Sequence, residues 1–445
     1  MKRFSLAVIF LSAVFCASAQ QPSDSTLKVL SLDDAVRIAL SENVSVKVAD
    51  LEIQRTTYAK RGTYASLFPT VDVSAAYQRT IQKQKMYMDV AGMEDGLEVG
   101  RWNTWSPGVS ASMPIINAQL WKSIKISGED VELAVEKARS GRIETVTQVK
   151  QAYFAVLLAK ESNKVYTSVY ENALENYKLT EKKFNAKRAS ELDLQRAKTT
   201  LAGAIPNLYE SENSIVLALW QLKAVMGVDL DENIDVCGSL EDYASQMQSD
   251  CAALEQAGLE NNSTMRQLAI QAEQLADAVR VQQAACLPSL AVAFSFSFNA
   301  MENDFNFSNY KWSPYSYVGL SLSIPIFAGG KRANSIRQAK VQATELSLQR
   351  SNTERQLRIQ IRQYLNTMET ALRSFDSASQ ALESAEKAYS IARSSYDVGR
   401  STLTDLNDAQ LALVQSRLSL VQTVYSFVVA KSNLEGVIGS DNTIQ

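Results

Sequence analysis

Four stretches of the chain alternate apolar and small or polar residues with a period of two. In the first, Val71, Val73, Ala75 and Tyr77 share one face, with Asp72, Ser74, Ala76 and Gln78 on the other. The second sets Val109, Ala111, Met113 and Ile115 against Gly108, Ser110 and Ser112. The third sets Phe294, Phe296 and Phe298 against Ala293, Ser295, Ser297 and Asn299. The fourth sets Val318, Leu320, Leu322 and Ile324 against Tyr317, Gly319, Ser321 and Ser323. This period predicts strands at about 70–80, 105–116, 289–299 and 315–327. Segments of ~10 residues with one apolar face suit a barrel between lipid and a wet lumen. A soluble hairpin packed on a core would alternate in the same way. Trp102, Trp105, Trp312, Tyr315 and Tyr317 lie near the loop ends, where a membrane barrel carries an aromatic girdle.

Elsewhere the period is seven. Leu406, Leu413, Leu420, Phe427 and Leu434 form one seam, with the smaller Ala409, Ser416, Thr423, Ala430 and Val437 three positions on. Leu194, Leu201, Leu208, Ile215 and Leu222 repeat it earlier, beside Ala197, Ala204, Ser211, Ala218 and Val225. Ile361, Met368, Phe375, Leu382, Tyr389 and Tyr396 give a third seam. A strict heptad with large and small positions predicts closely packed, left-handed supercoiled helices. Helices are expected at about 32–67, 118–186, 190–227, 251–286, 331–398 and 402–438. Pro206 should kink the third of these.

The chain is two copies of one unit. "ALSENVSVKVADLEIQRTTYAKRGTYASLFPTV" from Ala39 aligns without gaps on "GLENNSTMRQLAIQAEQLADAVRVQQAACLPSL" from Gly258, so Asn43 meets Asn262 and Pro69 meets Pro288. "SASMPI" from Ser110 meets "SLSIPI" from Ser321, which pairs Pro114 with Pro325. "MGVD" at Met226 meets "IGSD" at Ile438. The first repeat is 20–229, the second 251–445, with a linking segment at 230–250.

Lys2 and Arg3, an apolar run to Phe15 and the Ala17-Ser18-Ala19 site read as a signal peptide over residues 1–19. Cys16 opens a lipid-anchor alternative, which the bulky Phe15 disfavours. Losing Lys2 and Arg3 takes the formal charge from −3 to −5, which argues against a nucleic-acid partner. No later segment holds ~18 uninterrupted apolar residues, so a transmembrane helix is not expected. Cys237 and Cys251 could pair in an oxidising compartment, or remain buried thiols. With no histidine, no GxSxG and no phosphate-binding loop, nothing points to an enzyme, a metal or a cofactor.

The duplication, the helix-to-strand segments ending in Pro69 and Pro288, the SxSxPI strand ends and the run "YDVGRSTLTDLNDA" from Tyr396 to Ala409 together resemble the TolC family of outer-membrane efflux proteins. The resemblance covers essentially the whole mature chain. It implies a membrane α/β fold: a homotrimer whose twelve-stranded β-barrel continues into a periplasmic α-helical tunnel, with an equatorial segment at 230–250 and the chain ends. It also implies an outer-membrane exit duct serving a tripartite efflux or type I secretion system. A periplasmic adaptor and an inner-membrane pump would be its partners, and drugs, small toxic compounds or proteins its cargo. Four strands per chain agree with sharing, since the smallest membrane barrels have ~8. A non-porous periplasmic coiled-coil scaffold is the alternative; it accounts for the heptads but not for the strands.

Family members close the periplasmic end with aspartates that match Asp405 and Asp408 here. Thr402 and Asp405 also have capping-box spacing, as do Ser190 and Asp193, so Asp405 could serve only its helix. Asp408 has Arg196 as its counterpart, and capping does not explain it. The hairpin turns Lys187, Arg188, Ala189, Ser190 and Gly399, Arg400, Ser401, Thr402 are the expected adaptor contacts. Lys187 stands where the second turn has Gly399, so a less left-handed first turn is expected. Ser401 occupies the place of a family arginine, which puts any latch built on that arginine in doubt. Pro114, Pro325, Gly329 and Gly330 mark the joint between barrel and tunnel, with two different turns expected because Asn117-Ala118-Gln119 replaces the glycines in the first repeat.

Overall fold

The computed structural model describes residues 27–87, 97–254 and 258–439. The predicted leader, residues 1–19 with Cys16, lies outside them. The first repeat contains β1 (Lys28–Leu30), α1 (Leu32–Glu42), α2 (Val44–Ala65), β2 (Thr70–Arg79), β3 (Gln84–Met86), β4 (Leu97–Val99), β5 (Asn103–Ile116), α3 (Ala118–Asn185) and α4 (Glu191–Met226). The link holds β6 (Ile234–Val236), α5 (Leu240–Ala244) and α6 (Met247–Leu254). The second repeat contains α7 (Ser263–Ala284), β7 (Ser289–Glu302), β8 (Ser313–Ser323), α8 (Lys331–Asp397) and α9 (Leu403–Ile438).

The four alternating runs form one antiparallel sheet in the order β2-β5-β7-β8. Val73 registers with Val109, Val109 with Phe296, and Phe294 with Val318, so the apolar rows of all four strands lie on one face. Among the described residues nothing covers that face at the outer strands: Val73 is 80% exposed and Val318 72%. Serines and glycines line the other face. The expected girdle is only partly there. Trp105 pairs with Tyr77 on the apolar face, but Tyr315 and Tyr317 register with Ser297 and Ser295 on the polar one. At the loop end Tyr77 donates to Asn103, and the buried Asn103 amide donates to the Asp304 carbonyl. These bonds draw the loop after β7 over the end of the β2–β5 hairpin.

The helices run away from the sheet. α3 has 68 residues and α8 67, each ~100 Å long at 1.5 Å per residue. α4 packs back along α3 and α9 along α8, while α3 and α9 join the two repeats. The heptad seam is the core of this layer, with Leu406, Leu434, Leu222 and Met368 fully buried. α4 continues through Pro206 as a single helix.

Two expected helices are broken. The stretch 32–67 divides at Asn43, whose extended backbone (φ −60°, ψ 127°) ends α1 while its side chain caps α2 by accepting from the Ser45 and Val46 amides. Asn262 does the same at the start of α7, so 251–286 is not one helix either. At each break the asparagine side-chain amide also donates to the end of a distant helix, to Val225 from Asn43 and to Val437 from Asn262, a tertiary bond that local spacing does not show. The strand expected to reach 327 ends at Ser323.

Midway along the helices, β1 pairs in parallel with β6. The buried Tyr153 hydroxyl on α3 donates to the Cys237 carbonyl at 2.5 Å, tying this belt to the helical layer. Cys237 and Cys251 are not joined by a disulfide. Among the described residues no helix is long and apolar enough to cross a membrane, which says nothing of the sheet.

Candidate functional site

The far ends of the two helical hairpins carry the predicted turn residues. In the first, the Lys187 amide donates to Phe184 and the Arg188 amide to Lys183. In the second, the Gly399 amide donates to Tyr396 and the Arg400 amide to Ser395. These are the same two bonds one repeat apart, and they satisfy the last carbonyls of α3 and α8. They require a left-handed residue. Gly399 supplies it at φ 77°, and Lys187 adopts it at φ 59°. The expectation of a less left-handed first turn is therefore wrong: the helix-end hydrogen bonds outweigh the ~1–2 kcal/mol that a side chain costs there.

After each turn a capping box opens the returning helix. The Thr402 hydroxyl accepts from the Asp405 amide, and the Asp405 carboxylate accepts from the Thr402 amide at 2.8 Å. Ser190 and Asp193 repeat this at α4. Hydrogen bonds from the Thr402 side chain and then its amide hold the Asp405 carboxyl below its usual range. Asp408, one turn on, is exposed and has no hydrogen-bond or ion-pair partner among the described residues.

The tips are locked to each other within the protomer. The Thr180 and Tyr396 hydroxyls meet at 2.9 Å, and Thr180 is fully buried. The Lys183 ammonium lies 4.4 Å from the centre of the Tyr396 ring and donates to the Tyr396 carbonyl. Glu175 and Arg393 form an ion pair at 2.7 Å further along. Sequence reasoning missed Thr180 and Lys183. The one available signal was a break in the repeat, since Ala392 and Ser395 stand at their places in the second half.

At the opposite end the two joints differ. Pro114 lies within β5, opposite Ala291, and the ladder slips only between Pro114 and Ile116. Asn117 then caps α3 by accepting from the Leu120 amide. In the second repeat pairing stops before Pro325. Ile326 and Phe327 stand almost wholly exposed, and Gly329 and Gly330 turn the chain into α8 at φ 57° and 81°.

The family model described as outer membrane efflux protein matches residues 35–228 and 254–440. The Campylobacter jejuni CmeC outer membrane channel superposes with a TM-score of 0.71 at 20% identity, covering 93% of this chain and 87% of that one. VceC of Vibrio cholerae gives 0.71 at 17%, covering 92% and 96%. A proteases secretion protein, PrtF of Dickeya chrysanthemi, is 19% identical over 355 residues, 77% of this chain and 74% of the relative. With the family model matching both repeats and an uncovered apolar sheet set above long helices, the chain belongs to the outer membrane efflux protein family and is an outer-membrane channel with a large periplasmic part.

Proposed function

We propose that three copies close a twelve-stranded barrel and a helical tunnel. The observation that carries this is the state of the protomer's edges. β2 and β8 each have a strand on one side only, and an open edge cannot sit in lipid. The helical layer has matching edges. Val48, Leu51 and Tyr58 on α2, Tyr209, Val216 and Trp220 on α4, and Leu348, Ile359 and Ile391 on α8 are all exposed. Joining β2 to the β8 of a neighbour would cover both kinds of edge at once. Two copies would give eight strands and a lumen filled by side chains, whereas three give a wet pore.

The duct conducts passively between an inner-membrane pump and the exterior, and the pump supplies energy and most of the selectivity. The turns Lys187 to Ser190 and Gly399 to Thr402 are where a periplasmic adaptor docks. Asp405 and Asp408 stand at the periplasmic mouth, and Pro114, Pro325, Gly329 and Gly330 form the hinge to the barrel. The cargo is drugs, small toxic compounds or proteins; likeness to a proteases secretion protein supports the last. Detergent-purified protein should have the mass of three chains and form discrete conducting channels in planar bilayers. Recovery as a detergent-free soluble monomer without conductance would instead favour a coiled-coil scaffold.

A further inference from the structure

A buried carboxyl pair joins the two repeats shortly below the barrel joint. Asp277 on α7 is 1% exposed and is ion-paired to Lys125 on α3 and Arg280 on its own helix, each at 2.5 Å. Glu129, one turn after Lys125, is 6% exposed. Neither Glu129 oxygen has a hydrogen bond, and both are shut off from solvent. Lys125 reaches Glu129 only at 3.4 Å, because its shorter contact goes to Asp277. On α2 the Lys60 ammonium lies 3.7 Å from where a Cβ on Gly128 would stand; no bond from it to either carboxyl is present. No charged group of α8 bonds to the pair among the described residues.

A buried carboxylate with no hydrogen bond to either oxygen, and only one long ion-pair contact, is costly to keep charged in a protein interior. A proton removes the difficulty. Neutral Glu129 carries an O–H, and the ionised Asp277 beside it is an acceptor. We infer that Glu129 holds a proton at neutral pH and donates it in a hydrogen bond to Asp277, making a pH-sensitive latch between α3 of the first repeat and α7 of the second. The electrostatics agree. Burial, then the neighbouring Asp277, push the Glu129 carboxyl up. Burial works against ionisation of Asp277 too, but Lys125 and Arg280 hold it below its usual range. Two carboxyls in one site separate in this way, one neutral and one charged. The proton leaves as pH rises through the raised value, and two adjacent carboxylates then repel across the seam.

Infrared spectroscopy of the detergent-purified channel tests this. A protonated-acid carbonyl band should persist at neutral pH, titrate away as the pH is raised further and be lost in Glu129→Gln. The thermal midpoint of the wild type should fall as pH rises from the ordinary carboxyl range to the pH at which the band disappears and level off beyond it, while that of Glu129→Gln, which keeps a donor for Asp277, should stay level across that window. A wild type with no acid band at neutral pH overturns the inference without recourse to any variant. A band that Glu129→Gln leaves intact overturns it as well.

Discussion

The side-chain amide of Asn43 donates to the carbonyl of Val225 at 2.7 Å, so the break between α1 and α2 is fastened to the last turn of α4. One repeat later Asn262 donates to Val437 at 2.6 Å. Each clasp closes on a left-handed glycine. A Cβ on Gly227 would stand 2.9 Å from the Asn43 Cα, and one on Gly439 2.5 Å from the Asn261 carbonyl oxygen. The unit that was duplicated is thus a loop of chain whose start and end are hydrogen-bonded together. Asn43→Ala removes a cap and a tertiary bond, and should destabilise by about 2 kcal/mol. Asn262→Ala should do the same, and the two should add because the sites share no partner. Gly227→Ala should cost about 2 kcal/mol or more through strain and close contact. Denaturant midpoints of the purified channel check all three; a neutral Asn43→Ala would show that the clasp is incidental.

Lys187 and Gly399 invite an exchange. Lys187→Gly relieves left-handed strain, offset by the greater freedom glycine has when unfolded, and should stabilise the first tip by roughly 0.5–1 kcal/mol. Gly399→Lys should destabilise the second by about 1 kcal/mol. Resistance of the tips to limited proteolysis should move in opposite directions in the two variants. Equal effects would mean that the turns are not equivalent.

What the sequence made legible is what recurs along it. The heptad seam around Leu406 and the strand faces around Phe296 could be read because period and burial coincide. Asn43 and Asn262 could be matched, yet their bonds to Val225 and Val437 could not be seen, because each spans more than 170 residues. Lys187 misled because residue preference at a helix end is weaker than the two backbone bonds that set its conformation. The Thr180–Tyr396 contact was hidden for the opposite reason: it exists where the two halves differ. Of the predicted site residues, the two hairpin turns lie between long helices and Gly329 and Gly330 lie at the start of α8, whereas Pro114 is still paired inside β5. Asp405 proved to be committed to a cap, which leaves Asp408 as the carboxylate with no local task.

That commitment makes the tip sensitive to acid. The Asp405 carboxyl is depressed in the folded chain relative to its ordinary value of 3.8. Its contribution is therefore fully present above that value and lost as pH falls through the lower folded one. Thermal midpoints should decline over this acidic range in the wild type, and less steeply in Thr402→Val, which has already lost the hydroxyl of the box. Parallel curves for the two proteins would remove Asp405 from the account of acid stability.

Asp408 bears on conduction. It lies beyond the first turn of α9, exposed, where Arg196 stands in α4. In a threefold assembly three such carboxylates form a ring at the mouth, and rings of carboxylates attract cations. Asp408→Asn should leave folding untouched and weaken block by multivalent cations in planar bilayers by roughly tenfold, equivalent to about 1.4 kcal/mol of ion binding. Asp405→Asn should weaken block less, because its oxygens are engaged by Thr402, and should lower stability instead. The two aspartates thereby separate a structural effect from an electrostatic one at neighbouring turns of the same helix. Unchanged block in Asp408→Asn, with conductance preserved, would place the closure of the duct elsewhere, and the locked contact of Thr180 with Tyr396 would be the next place to look.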